Sequence, residues 1–214
     1  MLTDLLRVGV LCSKRAPGLD ALLHHPARGV FFDLDCLVTS ELTFPECGIP
    51  VVTHPIRLFY DDFDASIRDM EVRRHYDAAT AEVFRHIGVD VIVMLGYLYI
   101  ATEPLLSTCS NRIFNAHDSD LPGYPGLHAT RDAIMAGENE TRSTVHLVTP
   151  ALDAGPVMAR SEAFPVARFA HEAALAGETD IVRAYAYAHR EWMMRRTWGD
   201  LVVNVLEQVA VAAA

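Results

Sequence analysis

The run Val89-Asp90-Val91-Ile92-Val93-Met94-Leu95 is apolar at all but one position and rich in β-branched residues. Such a stretch suits a strand covered on both faces, the condition of a central strand in a parallel sheet. Parallel neighbours cannot be joined by tight turns and need crossovers, usually helices, and the flanking sequence supplies them. Over 66–87 the apolar residues Tyr76, Ala79, Val83, Phe84 and Ile87 recur at three- and four-residue steps, and Gly88 provides a stop, which predicts a helix. Thr102, Glu103 and Pro104 cap and open another helix. A strand over 112–115, a helix over 129–137 and a strand over 143–149 follow. Upstream, 7–12 reads as a buried first strand with a loop at 13–18 and a short helix from Leu19; 31–38 and 51–53 are two further strands. After Pro165 the pattern turns helical, over 181–198 and again over 201–211. The expectation is an α/β fold: an open, mostly parallel sheet with right-handed crossovers and a helical C-terminal segment at about 166–214, in a single domain over 1–214.

Charge narrows the partners. Lys and Arg total 18 against 28 Asp and Glu, a net charge of −10, which argues against nucleic acid as a ligand because phosphate binding needs a basic footprint. The four cysteines, Cys12, Cys36, Cys47 and Cys109, have no metal-type spacing and read as reduced core thiols. No metal site is expected. The N-terminus meets Asp4 before any basic-then-apolar leader could form, and the longest uncharged apolar runs, 91–101 and 209–214, are too short to span a bilayer. A cytoplasmic protein without a membrane partner is expected.

Polar chemistry concentrates in 112–158. Asn115 and His117, two positions apart in an extended segment, project to the same side of the backbone at the carboxyl end of a strand, where open α/β sheets place their ligands. Asp153 stands in the turn Leu152-Asp153-Ala154-Gly155-Pro156. An amide donor and an imidazole can hold an oxyanion, and a carboxylate can hold imidazolium or a water. No Ser or Cys stands in a nucleophile elbow, so acyl transfer without a covalent intermediate fits best.

These residues also carry a family likeness. The segment Asn115-Ala116-His117-Asp118-Ser119-Asp120-Leu121-Pro122 and the turn 152–156 resemble the Asn-x-His-x-Ser-x-x-Pro and Leu-Asp-x-Gly-Pro motifs of the folate-dependent formyltransferase family, in particular its glycinamide ribonucleotide branch. Tyr124-Pro125-Gly126-Leu127-His128, Thr144-Val145-His146-Leu147-Val148-Thr149 and Leu95-Gly96-Tyr97-Leu98-Tyr99-Ile100 are similar to the family's pattern in the same order, over about 75–165. The resemblance implies a Rossmann-like formyltransferase fold and 10-formyltetrahydrofolate as formyl donor, with the primary amine of a small molecule as acceptor. It implies His117 as general acid and oxyanion stabiliser, Asn115 as donor to the formyl oxygen, and Asp153 as the group that orients His117 or a water. Leu98, Tyr99, Ile100, Ala101, Thr149 and Leu152 would line the folate pocket; Ser13, Lys14, Arg15, Gly96 and Asp118 would face the acceptor. His128 and His146 are read as structural neighbours.

The chain departs from the family on the acceptor side. Ser13-Lys14-Arg15-Ala16-Pro17-Gly18 lacks the Gly-x-Gly-Ser-Asn character of a phosphate loop and gains a proline that removes an N–H. Asp118 and Asp120 add carboxylates to the signature loop, and residues 185–192 fit the family's acceptor pattern poorly. The donor half looks kept and the acceptor half rewritten, which leaves open another amine such as an amino sugar, hydrolysis of the same donor, and a homodimer. Asp33 and Asp35 resemble a phosphatase Asp-x-Asp loop, but Cys36-Leu37 follows where Gly-Thr is needed, so they are read as surface residues beside a strand.

Overall fold

The computed structural model describes residues 5–213. Its sheet has seven strands in the order β3 (Val51–Thr53), β2 (Phe32–Thr39), β1 (Leu6–Cys12), β4 (Val91–Leu95), β5 (Ile113–His117), β7 (Thr144–Leu147) and β8 (Val157–Arg160). The first five are mutually parallel; β7 and β8 run antiparallel to their neighbours. The open, mostly parallel α/β sheet expected from the sequence is present, with helices on both faces. β8 was not foreseen, nor was the small pair β6 (Glu140–Thr141) and β9 (Phe164–Pro165), whose two-residue strands are too short to show a period.

Alternation along the strands builds two cores. Val91, Val93 and Leu95 join Val8, Val10 and Phe114 beneath the long helix α7 (Thr179–Ala213), which contributes Met194, Trp198, Val202 and Leu206. Ile92 and Met94 point the other way, with Leu11, against Ala81 and Phe84 of α3 (Met70–Ile87) and Leu105 of α4 (Glu103–Leu106). This two-sided burial is what the continuous apolar run demands. α3 starts later than the sequence suggests, at an N-cap where Asp69 accepts from the N–H groups of Glu71 and Val72, and stops at Gly88 with φ 78°. The two C-terminal helical stretches form one uninterrupted helix. Gly199 does not break it; a Cβ there would stand 2.4 Å from the Ala21 Cβ of α1 (Leu19–Leu23), so the glycine lets two helices approach closely. A further helix, α2 (Ile56–Asp62), follows β3 directly and was not foreseen. Asp33 and Asp35 lie within β2 rather than beside it, paired with Arg28 and Arg7.

Thr102 precedes α4 but makes no side-chain cap. Its N–H and hydroxyl donate instead to Asp77 Oδ2 of α3, at 2.6 and 2.7 Å, hanging the 96–102 loop on that helix. Burial pushes the Asp77 carboxyl up to about 6, although Thr102 and Arg73 act against it. Because this folded-state value lies above that of the unfolded chain, the protonated form carries the stability. That contribution is fully present below about pH 4, is lost as pH rises through about 6, and amounts to roughly 3 kcal/mol. Asp77→Asn, which keeps one acceptor for Thr102, is expected to flatten the pH dependence of the denaturant midpoint between pH 4.5 and 7.5.

Candidate active site

A cavity of about 250 Å³ opens at the carboxyl ends of β4 and β5, the end of the sheet at which open α/β folds bind their ligands. The backbone register explains its floor. Asn115 and His117 alternate to the same side of β5, and the antiparallel partner β7 sets His146 opposite Asn115. Asp153 comes from the 149–156 connection between β7 and β8, at φ 48°. That connection crosses β7 so closely that a Cβ on Gly155 would fall 1.8 Å from the Leu147 carbonyl oxygen. Gly155→Ala is therefore expected to displace the turn that carries Asp153 and to destabilise the protein by about 3 kcal/mol, read as a lowered urea midpoint together with lost activity.

The polar groups form one linked set. His117 Nε2 lies 3.1 Å from the Tyr124 carbonyl and His146 Nδ1 3.0 Å from the Leu147 carbonyl. A carbonyl only accepts, so both of these ring nitrogens carry protons. In a neutral His146 the Nε2 is then the acceptor for Asn115 Nδ2 at 3.1 Å. Asp153 sits between the two imidazoles, Oδ2 at 3.8 Å from His117 Nδ1 and Oδ1 at 3.6 Å from His146 Nε2, and accepts the Gly126 N–H at 2.8 Å. Burial pushes the Asp153 carboxyl up, but the adjoining imidazoles of His146 and His117 and the Gly126 N–H outweigh it and hold the group below the usual carboxylate range. The side chains of His117 and Asp153 are each only 9% exposed, so their interaction is poorly screened. The set can present an amide N–H and an imidazolium to a developing negative charge while a carboxylate balances the cation.

On one side of these groups the cavity is apolar. Leu98, Ile100 and Leu152 are about half exposed and all line it, together with Tyr99, Ala101 and Thr149. Large aliphatic side chains left open around one cleft mark a ligand surface. All six residues anticipated for a flat heteroaromatic ring are therefore in one place.

The residues anticipated on the acceptor side are not all in reach. Gly96 and Asp118 line the cavity. Ser13 does not, because it is fully buried: its hydroxyl accepts from Ser40 Oγ and the Leu98 N–H, and its N–H donates to the Gly96 carbonyl. Arg15 is held by both oxygens of Glu191 and lies over the Tyr187 ring, while Lys14 stands exposed on the loop. Neither Lys14 nor Arg15 lines the cavity. Asp120 turns away to Arg142 and Arg160 at the surface. In its place Arg190 reaches the cavity from α7, its Nε 3.0 Å from Asp118 Oδ2. His146 is a floor residue rather than a neighbour; its side of β7 follows from pairing with β5, which no local pattern reveals. Among the described residues no group of three His, Cys, Asp or Glu could hold a metal ion, and no helix is long and apolar enough to cross a membrane.

Comparison with known proteins bears on this cleft. The pattern of the Formyl transferase family matches residues 49–177. The chain is 30% identical over 159 residues to phosphoribosylglycinamide formyltransferase of Mycobacterium tuberculosis, covering 72% of this chain and 69% of that one. It is 29% identical over 166 residues to the trifunctional purine biosynthetic protein adenosine-3 of Drosophila melanogaster, spanning 72% of this chain but only 11% of that far longer relative. Among solved structures, glycinamide ribonucleotide transformylase 1 from Symbiobacterium toebii superposes with a TM-score of 0.64 at 26% identity, over 92% of this chain and 88% of its own.

Proposed function

The chain belongs to the formyl transferase family, and from that premise we propose that it moves the formyl group of 10-formyltetrahydrofolate to the primary amine of a small-molecule acceptor. The observation that carries this reading is the convergence of Asn115, His117 and Asp153 beside an open apolar slot. A pterin suits the slot, whose walls at 98–101 and 149–152 carry the half-exposed aliphatic side chains of Leu98, Ile100 and Leu152, an apolar surface of the kind a heteroaromatic ring requires.

The geometry supports a role for each group. His117 Nε2–H is engaged by Tyr124, which leaves the Nδ1 edge, toward Asp153, as the place where a proton is exchanged. With Nδ1 protonated, His117 donates a hydrogen bond to the negative charge that builds on the formyl oxygen as the amine adds. It then gives that proton to the leaving folate nitrogen as the carbon–nitrogen bond breaks, and is reprotonated by the proton that the attacking amine loses. Asn115 Nδ2 keeps one N–H beyond its bond to His146 and is the second donor. Asp153 stabilises the imidazolium and fixes its orientation; His146 positions Asn115. The same reading takes 1–214 as one formyltransferase domain with its helical cap from about 166. The purine-biosynthetic names of the relatives and the free cysteines support a cytoplasmic enzyme of purine assembly.

The test is release of tetrahydrofolate from 10-formyltetrahydrofolate, with and without a panel of amines that includes glycinamide ribonucleotide, amino sugars and amino acids. Release only with an amine is expected, and names the acceptor. Release with none would assign hydrolysis, and the absence of folate binding would sink the reading.

A further inference from the structure

A second cavity, of about 200 Å³, lies between the 127–131 segment and α7. It shares Asp118, Leu127 and Arg190 with the larger one, but none of the 98–101 or 149–153 walls. It therefore joins the cleft at the catalytic end and not at the apolar slot. Three arginines, Arg131, Arg183 and Arg190, line it against the single carboxylate of Asp118, in a chain whose net charge is −10. We propose that this cavity is the subsite for an anionic group, carboxylate or phosphate, carried by the acceptor amine; the assignment to the acceptor rests on the formyl-transfer reading.

Three observations support it. Arg190 Nε is buried and has no hydrogen-bond acceptor: Asp118 Oδ2 is near enough for an ion pair but not aligned with the N–H. Arg131 and Arg183 are paired only with Asp132 and Asp180 on the surface. Ion pairs at the surface are weak, so both guanidinium groups can turn to a ligand. Finally, the loop where the family resemblance puts a phosphate cradle is closed to that role, with Ser13 buried and Arg15 held by Glu191. On that loop Lys14 lines neither cavity and Arg15 is tied to Glu191, whereas across the cleft three arginines line the second cavity, where forked guanidinium donors suit the oxygens of carboxylate or phosphate.

The experiment uses the full chain and the Arg131→Gln/Arg183→Gln double variant, with Arg183 exposed and Arg131 partly so, and circular dichroism to check folding. Tetrahydrofolate affinity is measured first; inorganic phosphate is then titrated into the folate-loaded proteins. Saturable phosphate binding is expected in the wild type, at least tenfold weaker in the variant, with folate affinity changed less than twofold. In the amine assay, the anionic member of a matched pair (glucosamine 6-phosphate against glucosamine, glycinamide ribonucleotide against glycinamide) should have the higher kcat/KM, and the variant should erase that gap through KM. Phosphate binding that is absent, or unchanged in the variant, overturns the subsite. A variant that loses affinity for polyglutamylated donor in place of phosphate assigns the cavity to the donor's glutamate tail and overturns the acceptor assignment. Failure of the wild type to bind folate in the first arm counts against the formyl-transfer reading, and is distinguishable from a failure of phosphate binding with folate bound.

Discussion

His117→Ala is expected to lower kcat by ~10²–10⁴ while leaving folate affinity within a few-fold of the wild type. His117 lies on the same side of β5 as Asn115 with its Nδ1 edge toward Asp153, and an imidazole is the side chain suited to giving and taking a proton within one cycle. Its removal also takes away the cation that Asp153 faces. The apolar slot does not depend on it, since Leu98, Ile100 and Leu152 come from other segments. A kcat loss without a comparable loss of binding is the signature of an interaction made in the transition state. A variant that kept full activity would remove His117 from the mechanism. Asn115→Ala should fall in the same direction by ~10²-fold, the usual cost of one oxyanion donor, and the double variant should cost little more than His117→Ala alone because the two act on one charge.

Asp153→Asn is expected to reduce kcat on the order of 10²-fold, because an amide can occupy the turn and accept from Gly126 but cannot balance an imidazolium. The pH dependence separates this from simple misplacement. The folded-state carboxyl is held below its ordinary value, so it stays ionised through the working range and does not set the acid limb of kcat/KM. Its contribution to stability has the opposite sense to that of Asp77: present above the ordinary carboxylate value, lost as pH falls through the lowered folded-state value. The variant should therefore lose stability relative to wild type at neutral pH and converge with it in strong acid, in parallel denaturation series. Equal stability at all pH values would show that the carboxylate interacts with neither imidazole.

The parts legible in the sequence were those with local rules. A β-branched run announced the central strand, three- and four-residue periodicity announced α3, and two-residue alternation put Asn115 and His117 on one side. What needed the structure is non-local. His146 enters the site only because β7 pairs antiparallel with β5 in a register that sets it against Asn115. Arg190 enters because of the rotation of α7 about its axis, which is fixed by Trp198, Val202 and Leu206 in the core. Ser13 carried the composition of a ligand loop, yet its hydroxyl closes a contact between β1 and the 96–98 segment. Asp118 and Asp120 looked equivalent in the signature loop and face different surroundings, one toward Arg190 and the other toward Arg142 and Arg160.

The unbroken length of α7 has a consequence for how such an enzyme can change. At about 1.5 Å per residue its 35 residues make a rod of roughly 50 Å. Its first half carries Arg183, Tyr187 and Arg190 to the second cavity, and its second half is bolted into the sheet by apolar side chains. The first half is anchored too, by Val182, Ala186, Met193 and Met194, so there recognition and anchorage occupy separate faces of one stiff element. Exchanges on the exposed face of the first half can redirect what the protein accepts without loosening what holds it together, so divergence in substrate choice among related chains should accumulate there turn by turn, while the buried positions of the helix and the β5 floor stay still.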